Sequence, residues 1–152
     1  MKKFKFKDGQ VIIAATKEEA IKKHKVTASE YTDLEKEKAI LTNNGFKIKE
    51  RKYDEGVYAE QRMPGHKSIY ALIYKTKRGT FLADCYVDDV ADSVTDCVYE
   101  SGLREVEIKR KTIQEAIKAT RVYFKLVNKM IALHQKFEAE KKAIEKEAWN
   151  LK

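Results

Sequence analysis

The stretch that decides the fold is residues 112–152, TIQEAIKATRVYFKLVNKMIALHQKFEAEKKAIEKEAWNLK. Thr112 and Glu115 make a capping box, and no Gly or Pro interrupts the run, so one continuous helix is predicted. From Ile113 to Phe137 the apolar residues form two adjoining rows, Ile113/Ile117/Thr120/Phe124/Val127/Ile131 and Ala116/Ala119/Tyr123/Leu126/Met130/Leu133/Phe137. A stripe this wide exceeds what a two-stranded coiled coil needs and belongs in a globular core. Beyond Phe137 it narrows to Ile144, Ala148 and Leu151 among charged residues, so 137–152 reads as a projecting arm. The lengths agree: these 41 residues make a rod of roughly 60 Å, against ~35–40 Å for a compact chain of this size.

The preceding residues supply a sheet for that helix to cover. Lys2–Lys7 alternates lysine with Phe4 and Phe6, Asp8-Gly9 is a type I′ turn signal and Val11–Ala15 returns, which predicts a β-hairpin. Capping boxes at Thr16/Glu19 and Thr27/Glu30 predict two helices, 17–24 and a second ending near Gly45. Phe46–Tyr53 alternates as a strand whose outer face is Lys47, Lys49 and Arg51. Residues 54–67 hold the only proline and read as an irregular loop with a short strand at 57–62. Ser68–Thr76 and Thr80–Val87 pair across Lys77-Arg78-Gly79, and both alternating sets of the first are largely apolar, the pattern of a central strand covered on both faces. Asp88 caps a helix to about Glu100, and 104–111 is a half-buried strand. The fold class is therefore α+β: an antiparallel sheet of about five to seven strands packed on helices, with the C-terminal helix as spine and arm, in a single domain over 1–152.

Little in the chain points to catalysis. Cys85 and Cys97 stand 12 apart without a CxxC and read as buried thiols, neither a disulfide framework nor a zinc site. MPGHKS at 63–68 lacks the first glycine of a phosphate loop and precedes a strand, not a helix. His66 could serve as a general base with Asp84 or Tyr58, while His24 falls at a predicted helix end and suits its dipole. The expectation is a protein that is not an enzyme and has no metal or cofactor. With no membrane-length apolar run and no signal peptide, it is expected to be cytoplasmic, without a membrane partner.

Charge is the more informative signal. The net charge is +8, carried by 26 Lys and 6 Arg, a lysine bias typical of AT-rich genomes. Residues 80–103 hold six acidic groups and no Lys or Arg, a local −6 that leaves +14 for the rest. Asp88, Asp89, Asp92, Asp96 and Glu100 lie on the predicted helix, mostly at four-residue spacing, where like charges repel; they are the candidate surface for a basic partner. Lys118, Arg121, Lys125, Lys129 and Lys136 form one row on the long helix, and Lys3, Lys5 and Lys7 would align with Lys47, Lys49 and Arg51 if those strands were neighbours. With Lys77 and Arg78 at the hairpin tip, these are the candidate nucleic-acid contacts. Ile144, Ala148, Trp149 and Leu151 are the candidate partner contacts of the arm, with Trp149 as anchor.

Lys3–His24, KFKFKDGQVIIAATKEEAIKKH, resembles the start of small accessory proteins of phages and mobile elements of AT-rich bacteria. The resemblance implies a protein that binds a host machine stoichiometrically, including the nucleases of defence systems, as anti-CRISPR proteins do. The leading expectation is thus an inhibitor that occludes a host nucleic-acid-targeting complex by protein contact. Direct DNA or RNA binding is the alternative, self-assembly a third, and the long helix offers a homodimer contact.

Overall fold

The computed structural model describes residues 1–28, 32–50, 56–88 and 95–151. Strands β1 (Lys2–Lys5) and β2 (Val11–Ala14) are followed by helices α1 (Lys17–Ala28) and α2 (Asp33–Asn43). Strands β3 (Lys47–Ile48), β4 (Tyr58–Met63), β5 (His66–Lys75) and β6 (Phe81–Val87) follow, then α3 (Asp96–Tyr99), β7 (Glu105–Arg110) and α4 (Ile113–Asn150). β3 to β7 form one antiparallel meander in chain order, while β1 and β2 form a separate two-stranded sheet. The α+β architecture and the long C-terminal helix match the sequence reading.

Thr112 Oγ1 accepts from the Glu115 N–H and starts α4, which packs on β5, β6 and β7. Ile69, Ala71, Ile73, Phe81, Ala83, Cys85 and Val87 turn one face of the sheet towards the core, where Ile113, Ile117, Tyr123, Phe124, Val127 and Ile131 meet them. Small side chains at 71, 83 and 85 leave room for Tyr123 and Phe124 of α4. Tyr123 is satisfied at its polar end by donating to the Leu103 carbonyl at 2.8 Å. α2 closes the core beside β3 and α4 with Ile40 and Leu41.

Several local expectations are corrected. The second capping box is Thr32/Glu35, with both reciprocal bonds made, and Thr27 lies inside α1 instead. The 46–53 strand is only Lys47–Ile48 among the described residues, whereas 54–67, read as mostly loop, contains β4 and the start of β5. The β1–β2 turn is not type I′, which needs two positive φ values: only Gly9 has one, at 86°, and its N–H bonds back to Phe6. That is a type I turn closed by a left-handed glycine, and Thr76–Gly79 repeats it, with Gly79 at 82°. His24 is not at a helix end; its ring stacks on Phe6 at 3.8 Å and bonds Asp8 at 2.6 Å, tying α1 to the hairpin.

Candidate functional site

Because side chains alternate across a strand, the residues between the core-facing ones share the opposite face of the meander. Cross-strand register arranges them in rows: Arg62, Tyr70, Tyr86 and Glu105; then Lys47, Glu60, Leu72, Asp84 and Glu107; then Tyr58, Tyr74, Leu82 and Lys109. The tyrosines and leucines are half-buried, covering one another. β5 is therefore not buried on both faces: Ile69, Ala71 and Ile73 are sealed, but Tyr70, Leu72 and Tyr74 are partly accessible. Tyr70 and Tyr86 pack at 4.0 Å, and the Arg62 guanidinium lies over Tyr70 at 4.8 Å.

This face is polarised. At the β3–β4 end Lys49 and Arg62 both pair with Glu60, at 3.5 and 2.9 Å. At the β6–β7 end Asp84 stands directly opposite Glu107, with Glu105 beside it, and none of the three has an ion pair among the described residues. Like charges directly opposite destabilise a sheet. Burial, then Glu105 and Glu107, hold the Asp84 carboxyl above the usual carboxylate range. Burial, then the Tyr70 hydroxyl, push the Tyr86 phenol up. The sequence reading missed Glu105, Glu107 and the tyrosines as a surface, because only cross-strand register assembles them.

The acidic residues singled out from the sequence are divided. Asp88, half-buried just past β6, lines a polar pocket of about 310 Å³ with Tyr70, Tyr86, Arg104 and Glu105, and so extends the acidic end of the face. Asp89 and Asp92 lie outside the described residues. Of the predicted 88–100 helix only the single turn Asp96–Tyr99 is described. Asp96 and Glu100 are exposed there, on the turn that contacts α4.

The basic candidates do not converge either. Lys3 and Lys5 belong to the separate hairpin, and Lys5 donates to the Asn43 carbonyl at 2.9 Å, so they do not extend the Lys47 and Lys49 row. Arg51 lies outside the described residues. Lys77 and Arg78 are exposed in the β5–β6 turn. On α4, Lys118, Lys125 and Lys129 are exposed and have no ion pair among the described residues, whereas Arg121 donates to Asn44 Oδ1 at 2.7 Å.

α4 leaves the core earlier than its apolar pattern predicts. Ile131 is 5% exposed, but Leu133 is 65% and Phe137 60% exposed. The remainder, 132–150, extends about 28 Å. Ile144, Ala148 and Leu151 are exposed on the side that carries Leu133 and Phe137. Trp149, 70% exposed, lies about 140° around the helix from Ile144 and does not share that stripe.

His66 opens β5 opposite Met63, while Asp84 is paired with Leu72, six residues further along the strand. That is about 20 Å away, so the suggested His66–Asp84 couple is not formed, and Tyr58 lies at the far end of β4. Cys85 is sealed in the core, its thiol pushed up to about 12 by burial and then by Asp84, while Cys97 is only partly buried. Among the described residues no group of three or more His, Cys, Asp or Glu is placed to hold a metal ion. No helix among them is long and apolar enough to cross a membrane. Comparison with protein-family models, curated proteins and solved structures finds no match for this chain.

Proposed function

We propose that this chain is a non-enzymatic binding protein whose tyrosine-rich sheet face, with its acidic end, docks on a basic surface of a partner protein. The observation that carries the reading is the cluster of Asp84, Glu105 and Glu107 beside the packed Tyr70 and Tyr86. Carboxylates set directly against one another cost stability, and a basic partner would offset that cost. Tyrosine is also among the residues enriched at binding hot spots. A nucleic-acid-targeting complex fits as the partner class, since its channel is basic and an acidic face would occlude it. The opening that resembles phage accessory proteins favours the same class.

Nucleic-acid binding is the second reading, favoured by the exposed row Lys118, Lys125 and Lys129. An affinity pull-down from a bacterial lysate, with and without nuclease, separates the two. The first reading predicts a stoichiometric protein partner that survives nuclease and is lost in Glu105→Lys/Glu107→Lys. Retention of nucleic acid alone, lost in Lys118→Glu/Lys125→Glu/Lys129→Glu, would overturn it.

A further inference from the structure

Apolar residues continue along α4 past the point where the helix leaves the sheet. Tyr123, Met130, Phe137, Ile144 and Leu151 recur every seven residues, and Leu126 and Leu133 fall between them at three and four. Up to Phe137 that is the 3.5-residue repeat of a seam facing another helix; beyond it one apolar residue in seven continues the line, and the intervening positions are Glu140 and Glu147. Leu126, Leu133, Phe137, Ile144 and Leu151 are all exposed. At its N-terminal end the seam opens into an apolar trough of about 310 Å³ between β7 and α4, lined by Val106, Ile108, Ala119, Val122, Tyr123 and Leu126. β7 is the edge strand of the meander, so no strand among the described residues covers this trough.

Charge beside the seam selects the occupant and its direction. Lys118, Lys125, Lys129 and Lys136 flank the first half of the seam, and further along the same side the charges are Glu140 and Glu147. Each half thus carries the complement of the other. A parallel pairing of two copies would set Lys129 against Lys129 and Glu140 against Glu140. An antiparallel pairing reverses this.

We propose that α4 pairs antiparallel with α4 of a second copy, each arm lying along the other's seam and ending in the other's trough beside β7. One register places Leu133 opposite the second copy's Phe137, Leu126 opposite its Ile144 and Ala119 opposite its Leu151, and sets Met130 and Tyr123 of the intervening layers opposite its Glu140 and Glu147. Each pair then occurs twice about a two-fold axis, as an isologous contact requires. Lys129 falls beside the second copy's Glu140, and Lys125 beside its Glu147. The sheet face with Asp84, Glu105 and Glu107 takes no part, so the dimer presents two such faces.

Light scattering of the full chain at high micromolar concentration tests this. The expected mass is twice 17.6 kDa, falling to the single-chain value in Phe137→Glu, an exposed position whose change leaves the core intact. Lys129→Glu should weaken the dimer several-fold, and adding Glu140→Lys to it should restore the wild-type affinity. That rescue is specific to the antiparallel register. A single-chain mass for the wild type, a dimer indifferent to Phe137→Glu, or no rescue by the double swap would each overturn the inference. If the wild type is monomeric yet captures a protein that Phe137→Glu loses, the stripe belongs to that heterologous protein and self-pairing is wrong. The sheet-face reading fails separately, when Glu105→Lys/Glu107→Lys leaves partner capture unchanged.

Discussion

Gly9 and Gly79 close two turns of the same geometry, with φ near +86° and +82°, but in different surroundings. A Cβ at Gly79 would meet nothing within 4 Å, whereas one at Gly9 would lie 2.5 Å from the Ile40 backbone nitrogen. Gly79→Ala should therefore cost only the left-handed conformation, roughly 1–2 kcal/mol. Gly9→Ala should cost more, because the hairpin must also separate from α2. Urea denaturation of the two variants measures the difference directly, and equal losses would refute the close approach. The Gly signals were legible in the sequence. The contact with Ile40 was not, since it joins residues 31 positions apart.

Asp84 gives a pH test at the same scale. Its folded carboxyl titrates above the ordinary range, chiefly through burial and then through Glu105 and Glu107. The folded chain thus holds this proton more tightly than the unfolded chain. The resulting stabilisation is complete below the ordinary carboxylate range and is lost as pH rises through the raised value. Asp84→Asn should raise the urea midpoint at neutral pH and match the wild type near about pH 3. An unchanged midpoint at neutral pH would mean that the three carboxylates do not strain the sheet.

At the scale of elements, α4 joins two environments in one uninterrupted helix. Ile131→Ala should cost about 2–5 kcal/mol, as for other sealed aliphatic side chains. Leu133→Ala, two residues on, should fall within about 0.5 kcal/mol when unfolding is measured on the single chain. Similar losses at both positions would place the exit from the core further along the helix. Helical periodicity revealed that α4 is amphipathic and where it starts. It could not reveal that the sheet ends before Leu133, because a seam for a second helix and a core stripe use the same residue types. The capping signals had a related ambiguity: Thr27/Glu30 and Thr32/Glu35 both satisfy the box pattern, and the box forms at the second, because α1 runs on through Thr27.

For the whole molecule, the fold class was readable because strand alternation and one long helix leave few architectures. The candidate surface was only half readable. Residues 80–103 were recognisably acidic, yet the surface that forms combines Asp84 and Asp88 with Glu105 and Glu107 from the next strand. Likewise the lysines of β1 and β3 align in sequence pattern, but the strands belong to different sheets. A docking face of this charge should bind its partner less tightly as salt rises, through slower association above all. The basic row on α4 should have no part in that response. Binding rates measured from low to moderate salt for the wild type and for Lys118→Glu/Lys125→Glu/Lys129→Glu check this. Loss of the salt response in the lysine variant would assign docking to α4 instead of the sheet.

The most direct measurement of the central division, a core wall up to Ile131 and a docking arm beyond it, is amide hydrogen exchange along α4 at low and high protein concentration. On dilution, slow exchange is expected for 117–131 and fast exchange beyond His134, with the arm becoming protected as concentration rises. Uniform protection along the whole helix in the dilute chain would contradict the account, because the arm would then be held by its own fold.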